Sequence, residues 1–258
     1  MPIFQVSVLA SSSSGNSTVI ATDRTCVLVD AGLSRKETFE RMLSIGIDPE
    51  RLDAILITHE HSDHVSGLPA IAKKLKIPVY VSRLTAPAIP WGEYSPTLEL
   101  FQAGSGFCVG DIEVNTFTIP HDAVDPVGFS FRSQGIKISI ATDLGYIPES
   151  VRVHLQSSDV LLLEANHDLE MLKVGPYPWS VKQRVMGRMG HLSNDAACGF
   201  LSEGLDSRTS TLILGHLSEH NNHPEIVRLM AAQTLDGRSL SPKLVIADAA
   251  APTQAFVY

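Results

Sequence analysis

The sequence predicts a four-layer α/β fold, an αββα sandwich in which two mixed sheets face each other and helices cover the outside. Two observations predict it. Short apolar stretches of strand length occur in both halves of the chain, and helical patterns flank them in each half. With 258 residues the chain can bury a large core, so we expect one domain over residues 1–258.

The first half of the chain contains five predicted strands and two predicted helices. Apolar stretches place strands at residues 3–10, 18–21, 26–29, 54–57 and 79–81. Ser34 and Glu37 have the spacing of a capping box, and a helix with apolar residues at helical spacing follows until Gly46. A second helix is predicted over residues 65–76, and its dipole would place a positive N-terminus beside residues 59–64.

The second half begins with strands and ends with alternating strands and helices. A Pro-rich segment over residues 86–96 predicts an irregular excursion before it. Strands are predicted at residues 98–101, 106–109, 113–119, 127–132, 136–141, 160–163, 211–214 and 243–246. Helices are predicted at residues 148–157, 178–189, 193–204 and 224–233.

Composition narrows the class of protein. Cys26, Cys108 and Cys198 are odd in number and far apart, which is typical of reduced, mostly buried thiols in a cytoplasmic protein. We expect no signal peptide and no membrane partner, because no basic N-terminal region or apolar run of spanning length occurs. The net charge of −8 argues against a nucleic-acid partner, but bound divalent metals would offset part of that charge locally.

Ligand-type side chains crowd together directly after the apolar strand at 54–57. His59, His61, Asp63 and His64 occupy four of six successive positions. Neutral imidazoles and ionised carboxylates are ligands of Zn²⁺ and similar cations, whereas a polar loop with incidental histidines would not need so many of them. We therefore predict a metal site, in which His59 and His61 face one ion while Asp63 and His64 reach a second.

Three further candidate ligands follow later strands. His121 comes after the strand at 113–119, Asp143 after the strand at 136–141, and His216 after the strand at 211–214. Each alone is typical of a capping or core-edge residue. Together, in this order and after the first cluster, they indicate that buried strands deliver ligands to one edge of the sandwich.

The H-x-H-x-D-H pattern of residues 59–64 resembles the signature of the metallo-β-lactamase superfamily, and His121, Asp143 and His216 are similar to its later motifs. The resemblance implies two divalent ions, Zn²⁺ or Mn²⁺, with room for a bridging hydroxide. The implied ligands are His59, His61 and His121 for one ion, Asp63, His64 and His216 for the other, and Asp143 as the bridge.

Further motifs resemble those of one small bacterial family, the YycJ family, also called WalJ or VicX. They are SSGNS (13–17), ITHEHSDH (57–64), HDAVDPVG (121–128), ATDLGY (141–146), LEANHD (163–168), GHLSN (190–194) and LGHLSEHNN (214–222). The resemblance implies a metal-dependent 5′→3′ exonuclease that acts on double-stranded DNA and takes part in DNA repair. The family in turn resembles ribonuclease Z in its later motifs.

Three residues are candidates for proton transfer. His191 follows a glycine and precedes a predicted helix, and it is our candidate general acid for the leaving oxygen. Glu164, at the end of the strand at 160–163, is predicted to orient His191. The corresponding motifs of ribonuclease Z, which this chain resembles, suggest such a pairing. Asp63 is predicted to accept a proton from the attacking water as well as to bind metal. A helix-entry histidine that bonds only backbone is the competing interpretation of His191.

A basic, aromatic stretch lies beside His191. No acidic residue occurs between Glu170 and Asp195, and the stretch carries Lys173, Lys182, Arg184 and Arg188, with Tyr177 and Trp179 among them. We predict that this basic stretch, with Lys182, Arg184 and Arg188 as candidate contacts, holds the DNA backbone while an aromatic residue stacks on an end base. Arg184 and Arg188 are predicted to lie one helical turn apart, partly opposite an apolar core stripe formed by Val181, Val185 and Met189. Asn16 is a further candidate for contact with substrate phosphate.

Two alternative functions remain open from the residues alone. A hydrolase of a small ester, thioester, lactone or cyclic phosphodiester would use the same ligands in a closed pocket. An iron oxidoreductase of the same fold also shares H-x-H-x-D-H, and iron loading with oxygen-dependent turnover would identify it. A non-catalytic scaffold is disfavoured because the ligand set is complete. The sequence leaves the oligomeric state open.

Overall fold

A computed structural model describes residues 3–258, and it confirms the predicted αββα sandwich of two mixed sheets with outer helices. The first sheet contains β1 (Phe4–Ala10), β2 (Ser17–Thr22), β3 (Cys26–Val29), β4 (Ala54–Leu56), β5 (Val79–Ser82), β6 (Leu98–Phe101) and β14 (Phe256–Val257). The second contains β7 (Gly106–Val109), β8 (Ile112–Thr118), β9 (Val127–Ser133), β10 (Ile136–Ala141), β11 (Val160–Glu164), β12 (Thr211–Gly215) and β13 (Lys243–Ile246). The helices are α1 (Arg35–Ser44), α2 (Ser62–Val65), α3 (Leu68–Leu75), α4 (Glu149–Leu155), α5 (Leu169–Val174), α6 (Trp179–Val185), α7 (Asn194–Glu203) and α8 (Pro224–Gly237).

Each sheet has an antiparallel half and a parallel half. In the first sheet the order is β14-β1-β2-β3-β4-β5-β6, and pairing becomes parallel from β3 onward. In the second the order is β13-β12-β11-β10-β9-β8-β7, with parallel pairing among β10, β11, β12 and β13. The parallel strands of one sheet end at the same edge, which brings the residues that follow them together.

Three apolar clusters hold the four layers together. Residues of both sheets, with Phe4, Phe129 and Phe131 among the largest, form the central cluster between the sheets. A second cluster packs α4, α7 and α8 on the second sheet, and a third packs α1 and α3 on the first. Burial of these faces from water is the main force that keeps the layers together.

Two predicted helices differ from the structure. The predicted helix at 65–76 corresponds to α3, which begins only at Leu68 with proline in its first turn, and the separate one-turn helix α2 precedes it. The predicted helix at 178–189 ends at Val185, and its chain continues as turns. The sequence analysis also missed α5 and the two-residue strand β14.

The Pro-rich excursion at 86–96 packs on the outside of the first sheet. Ile89 is buried, and Trp91 and Tyr94 pack against the third cluster. The Tyr94 hydroxyl donates to the carbonyl oxygen of Ala72 in α3. These contacts place the segment on the helical layer of the first sheet.

Two further features concern the class of protein. All three cysteines are free; Cys26 is buried, but Cys108 is exposed and Cys198 half-buried, which corrects the prediction of mostly buried thiols. Over residues 3–258, none of the helices has the length and apolar character needed to cross a membrane.

Candidate metal centre

The seven predicted ligands follow strand ends at one edge of the sandwich. His59, His61, Asp63 and His64 come after β4, and His121 follows β8. Asp143 and His216 follow β10 and β12, which flank β11 in register: Ala141 pairs with Leu163, and Leu163 with Leu214. The structure therefore brings all seven side chains into one cluster.

Three histidines form the first group. Ligand atoms of His59, His61 and His121 lie within 4.8 Å of one another. His121 Nε2 lies 3.3 Å from His61 Nδ1, and the rings of His59 and His121 are 5.0 Å apart. A set of three imidazoles with an open side is the usual composition of a catalytic zinc site.

The second group consists of Asp63, His64, Asp143 and His216, again with ligand atoms within 4.8 Å of one another. Asp143 Oδ1 lies 3.2 Å from His216 Nε2, and Asp143 Oδ2 lies 3.4 Å from His64 Nε2. Asp143 Oδ1 is also 3.9 Å from His121 Nε2, in the first group. Asp143 thus reaches both groups, as a bridging carboxylate must.

Hydrogen bonds to Nδ1 orient three of the histidines. His64 Nδ1 donates to Asp30 Oδ2 at 2.8 Å, His216 Nδ1 to Glu164 Oε1 at 2.9 Å, and His121 Nδ1 to the Gly190 carbonyl oxygen at 3.1 Å. With Nδ1 occupied as a donor, each ring presents Nε2 to the cluster. Such outer contacts fix ring orientation in metal-binding histidines.

Burial and neighbouring charges shift the pKa values of several ligands in the cluster. Burial holds the pKa of His59 well below its usual value, which keeps the imidazole neutral. Burial opposes ionisation of Asp143, yet neighbouring His216 and His64 keep the pKa of this carboxyl well below its usual range. Burial likewise disfavours charge on His216, but Asp143 and the hydrogen bonds to Asp63 and Glu164 raise the pKa of His216 to about 10. That proton is one a bound cation would displace.

Two buried ligand atoms have no hydrogen-bond partner among the described residues, namely His59 Nε2 and Asp143 Oδ2. An unpaired buried acceptor costs about 1–3 kcal/mol, so native structures rarely leave one without a partner. A cation held by each group would give these atoms partners. This observation, with the donor set of imidazoles and carboxylates, fits a divalent-metal site.

The backbone around the cluster is tight and partly strained. Asp30, Asp143 and His216 have φ angles of 58°, 60° and 58°, in the left-handed region that side chains other than glycine rarely adopt. A Cβ at Gly32 would lie 1.7 Å from the Asp63 carbonyl oxygen, so that position needs glycine. Strained residues of this kind concentrate at functional sites, where surrounding contacts hold them.

His191 and Glu164 are paired as predicted. Glu164 is fully buried, and its Oε1 accepts from His191 Nδ1 at 2.8 Å as well as from His216. Glu164 Oε2 accepts from the backbone N–H groups of Leu144 and Leu192. Burial opposes it, but His191 and the hydrogen bonds lower the pKa of Glu164 to about 2. The Glu164 carboxylate in turn raises the pKa of His191 against the effect of burial.

The predicted DNA-binding cations have three different environments. Lys182 is buried, and its Nζ donates to the Lys173 carbonyl oxygen at the end of α5, so Lys182 does not fit the predicted contact with DNA. Arg184 is exposed at the edge of the metal centre, where it pairs with Asp122. Asp122 Oδ1 in turn lies 3.5 Å from His121 Nε2. We call this edge, with Arg184 and Arg188, the rim. Arg188 is exposed, and its guanidinium lies 4.2 Å from the centre of the Tyr146 ring.

The predicted apolar stripe on this helix is wrong. Val181 and Met189 are 36% and 50% exposed, and α6 ends before Arg188, so Arg184 and Arg188 do not share a helix face. Beyond Val185 the chain turns back on α6, so that a Cβ at Gly190 would lie 2.2 Å from the Arg184 carbonyl oxygen. Trp179, at the start of α6, is 62% exposed, so it faces solvent as Val181 does.

Asn16 lies beside a candidate ligand and not at the surface. It is buried, and its Nδ2 donates to Asp63 Oδ2 at 3.2 Å and to the Ser12 carbonyl oxygen at 2.9 Å. The contact with substrate phosphate stays a prediction, and the contact that the structure shows is with a candidate ligand.

Sequence reasoning missed two residues that hold the cluster. Asp30 accepts from His64 and from both the N–H and the hydroxyl of Thr58, and Asn166 donates to the His216 carbonyl oxygen. Asp30 could have been found, because it ends a buried strand as the ligands do. Asn166 lies two residues past the end of buried strand β11, as Asp143 does after β10, so the same signal was present.

The fold and the cluster are those of the metallo-β-lactamase superfamily. The model of this superfamily matches residues 12–180. The crystal structure of the metallo-β-lactamase fold protein YhfI from Bacillus subtilis superimposes over the whole of both chains, with a TM-score of 0.76 and 17% identity. The chain therefore belongs to the metallo-β-lactamase superfamily.

Two curated relatives narrow the family. The chain is 38% identical to exodeoxyribonuclease WalJ of Streptococcus pneumoniae over 90% of its own length and 88% of the relative's. It is 37% identical to exodeoxyribonuclease YycJ of Bacillus anthracis over 89% and 88% of the two chains. Within the superfamily, the chain belongs to the family of these two proteins, as its motifs indicated.

Proposed function

We propose that this hydrolase is a metal-dependent exodeoxyribonuclease that degrades double-stranded DNA from the 5′ end, in the cytoplasm. The similarity to named exodeoxyribonucleases over nine-tenths of the chain carries the proposal. The complete ligand set, with exposed Arg184 beside it, supports the proposal. Three free cysteines support a reducing compartment.

We assign two divalent ions, Zn²⁺ or Mn²⁺, to the two groups of ligands, with Asp143 shared between them. Ions held there would polarise a phosphoryl oxygen and lower the pKa of water, which is the chemistry that phosphodiester hydrolysis requires. Imidazole nitrogens suit Zn²⁺, while the carboxylates of Asp63 and Asp143 also suit Mn²⁺.

The remaining chemistry falls to side chains beside the ions. Asp63 takes the proton of the attacking water. His191 donates its Nε2 proton to the leaving 3′ oxygen, because its Nδ1 is held by Glu164. Glu164 is a positioning residue, since it is fully buried and reaches substrate only through His191 and His216.

The DNA backbone would follow the rim on which Arg184 and Arg188 lie. Arg184 is linked to the first group through Asp122 and His121, and Arg188 lies beside the loop that follows Asp143. Trp179, which is exposed at the start of α6, is the candidate for stacking on an end base. Lys182 is left out of this surface.

The proposal is tested by digestion of a 5′-labelled duplex by wild-type protein in Zn²⁺ or Mn²⁺, with single-stranded DNA and duplex RNA as comparators. We expect short labelled products to appear first, and chelation followed by metal return to abolish and restore them. A 3′-labelled duplex should release its label last. If every nucleic acid is untouched while the protein binds two ions, a small ester or cyclic phosphodiester becomes the leading substrate class.

Charge reversal at the rim should weaken DNA binding without changing the chemistry. For Arg184→Glu/Arg188→Glu protein we expect a higher KM for DNA, with kcat/KM on a small aryl phosphodiester unchanged. Each lost phosphate contact lowers the slope of log affinity against log salt by about one, so the slope should fall by about two.

Lys74→Glu is the matched control for this pair, because Lys74 is an exposed cation outside the basic stretch that is paired with Glu50. It should leave the KM for DNA and the salt dependence close to wild type. Equal losses on DNA and on the small substrate in the arginine variant would show damage to the metal centre instead.

A further inference from the structure

The turn between β1 and β2, residues 11–16, lies against the second group of ligands. We call it the serine loop, since four of its residues are serines. The Asn16 N–H donates to the Asp63 carbonyl oxygen at 2.8 Å, and the Gly32 N–H donates to the Asn16 carbonyl oxygen. The loop is therefore fixed to the chain segment that carries Asp63 and His64.

The side chain of Asn16 has one defined orientation. Its Oδ1 accepts from the Ser12 N–H at 3.1 Å, and its Nδ2 donates to the Ser12 carbonyl oxygen at 2.9 Å. Because backbone donors and acceptors cannot exchange roles, the amide cannot flip. Its Nδ2 consequently lies 3.2 Å from both Asp63 Oδ2 and His64 Nε2.

The other end of the serine loop contacts His216. Ser11 Oγ accepts from the His216 N–H at 2.7 Å, at a residue whose φ is 58°. A Cβ at neighbouring Gly215 would lie 2.6 Å from Ser11 Oγ, so the approach is close. This contact stabilises the unusual backbone conformation that presents His216.

The loop's contacts are confined to the second group. It touches Asp63, His64 and His216 directly, while the first group is oriented from elsewhere. His59 Nδ1 lies 3.0 Å from the Thr58 hydroxyl, and His121 Nδ1 bonds to the Gly190 carbonyl oxygen. The Thr58 hydroxyl also lies 3.3 Å from His64 Nδ1, whereas the serine loop contacts ligands of the second group.

We propose that the serine loop, through Asn16 and Ser11, selectively sets the affinity for the ion held by Asp63, His64, Asp143 and His216. An amide N–H cannot bind a cation, so Asn16 acts as a positioning residue. It fixes the rotation of the Asp63 carboxylate by donating to Oδ2. Loss of such outer contacts typically lowers metal affinity 10- to 100-fold. The inference rests on the proposed two-ion centre but not on the proposed DNA substrate.

The test is a metal count on Mn²⁺- or Zn²⁺-loaded protein after dialysis against a weak chelator. We expect two ions per chain in wild type and one in Asn16→Ala, with the dissociation constant of the weaker ion raised about 10- to 100-fold. Ser13→Ala is the matched control, because Ser13 is exposed in the same loop, and it should keep two ions. Ser11→Ala removes a contact to His216, a different ligand of the same ion, and this variant should also keep one ion. It replaces Asn16→Ala in the test if that variant does not fold.

Double variants identify the ion that is lost. Asn16→Ala/His121→Ala should hold no ion, whereas Asn16→Ala/His64→Ala should still hold one. Two ions in both Asn16→Ala and Ser11→Ala, or loss of both ions together, would overturn the inference. Fewer than two ions in wild type would instead contradict the proposed two-ion centre, and DNA cleavage plays no part in either result.

Discussion

Asp143→Ala protein is expected to lose DNA cleavage almost completely, with kcat/KM at least about 10³-fold below wild type. Asp143 reaches the first group at His121 and the second at His64 and His216, so its removal weakens both. Metal ions supply several kcal/mol of transition-state stabilisation, and each 1.36 kcal/mol is a tenfold change in rate. The measurement is the initial rate on the 5′-labelled duplex, with the bound metal counted in parallel.

Asp143→Asn keeps the shape of the side chain but removes its charge, and it should show nearly the same loss. Asp236→Asn, which changes an exposed carboxylate on α8, is the control and should match wild type. Near-normal rates in both Asp143 variants would mean that this carboxylate does not hold the catalytic ions.

Glu164→Gln is expected to reduce kcat by about 10³- to 10⁴-fold with the fold intact, an effect comparable to other substitutions that impose the wrong histidine tautomer. All four partners of Glu164 donate to it. The backbone N–H groups of Leu144 and Leu192 cannot change roles, so the glutamine oxygen must face them. Its NH₂ group then faces His191 and His216.

That reversal forces each of these imidazoles to accept at Nδ1 and to carry its proton on Nε2. A neutral His216 in that tautomer cannot present Nε2 to a cation, so one bound ion should be lost together with the activity. His191 loses the carboxylate that stabilises its protonated form. The readouts are kcat, the metal count and the pH profile of kcat.

The control for this substitution is Glu170→Gln, an exposed carboxylate on α5. It should leave all three readouts unchanged. Retention of two ions and of the wild-type pH profile in Glu164→Gln would contradict the shared role of this carboxylate. A change in thermal stability alone would point to a purely structural glutamate.

The residues that follow strand ends were the predictable part of the site. An apolar strand that stops at a cluster of imidazoles and carboxylates, as at residues 54–64, is a local signal. His121, Asp143 and His216 repeat it, and parallel pairing among β10, β11 and β12 turns the repeated signal into proximity. The fold class could be predicted for the same reason, because strand and helix patterns are local.

The errors arise where distant backbone segments approach each other. Gly67, between α2 and α3, lies against Leu33, and Gly190, beyond the end of α6, lies against the last turn of that helix. Neither contact has a periodic signal in the sequence. Lys182 and Asn16 were predicted to bind substrate because of charge and polarity, but each finds a buried backbone partner that only the folded chain supplies.

The order in which the ligands occur along the chain has a consequence for biosynthesis. The ligands extend from residue 59 to residue 216, across both sheets. A nascent chain could not complete the first group before His121 had been translated and packed, nor the second group before His216 had been. Uptake of the second ion would therefore be a late event. Each ion present at a hundred times its Kd would add about 2.7 kcal/mol to the free energy of unfolding. Metal shortage would then reduce the amount of protein that survives proteolysis as well as its activity. A thermal-unfolding series across metal concentrations measures the underlying change in stability.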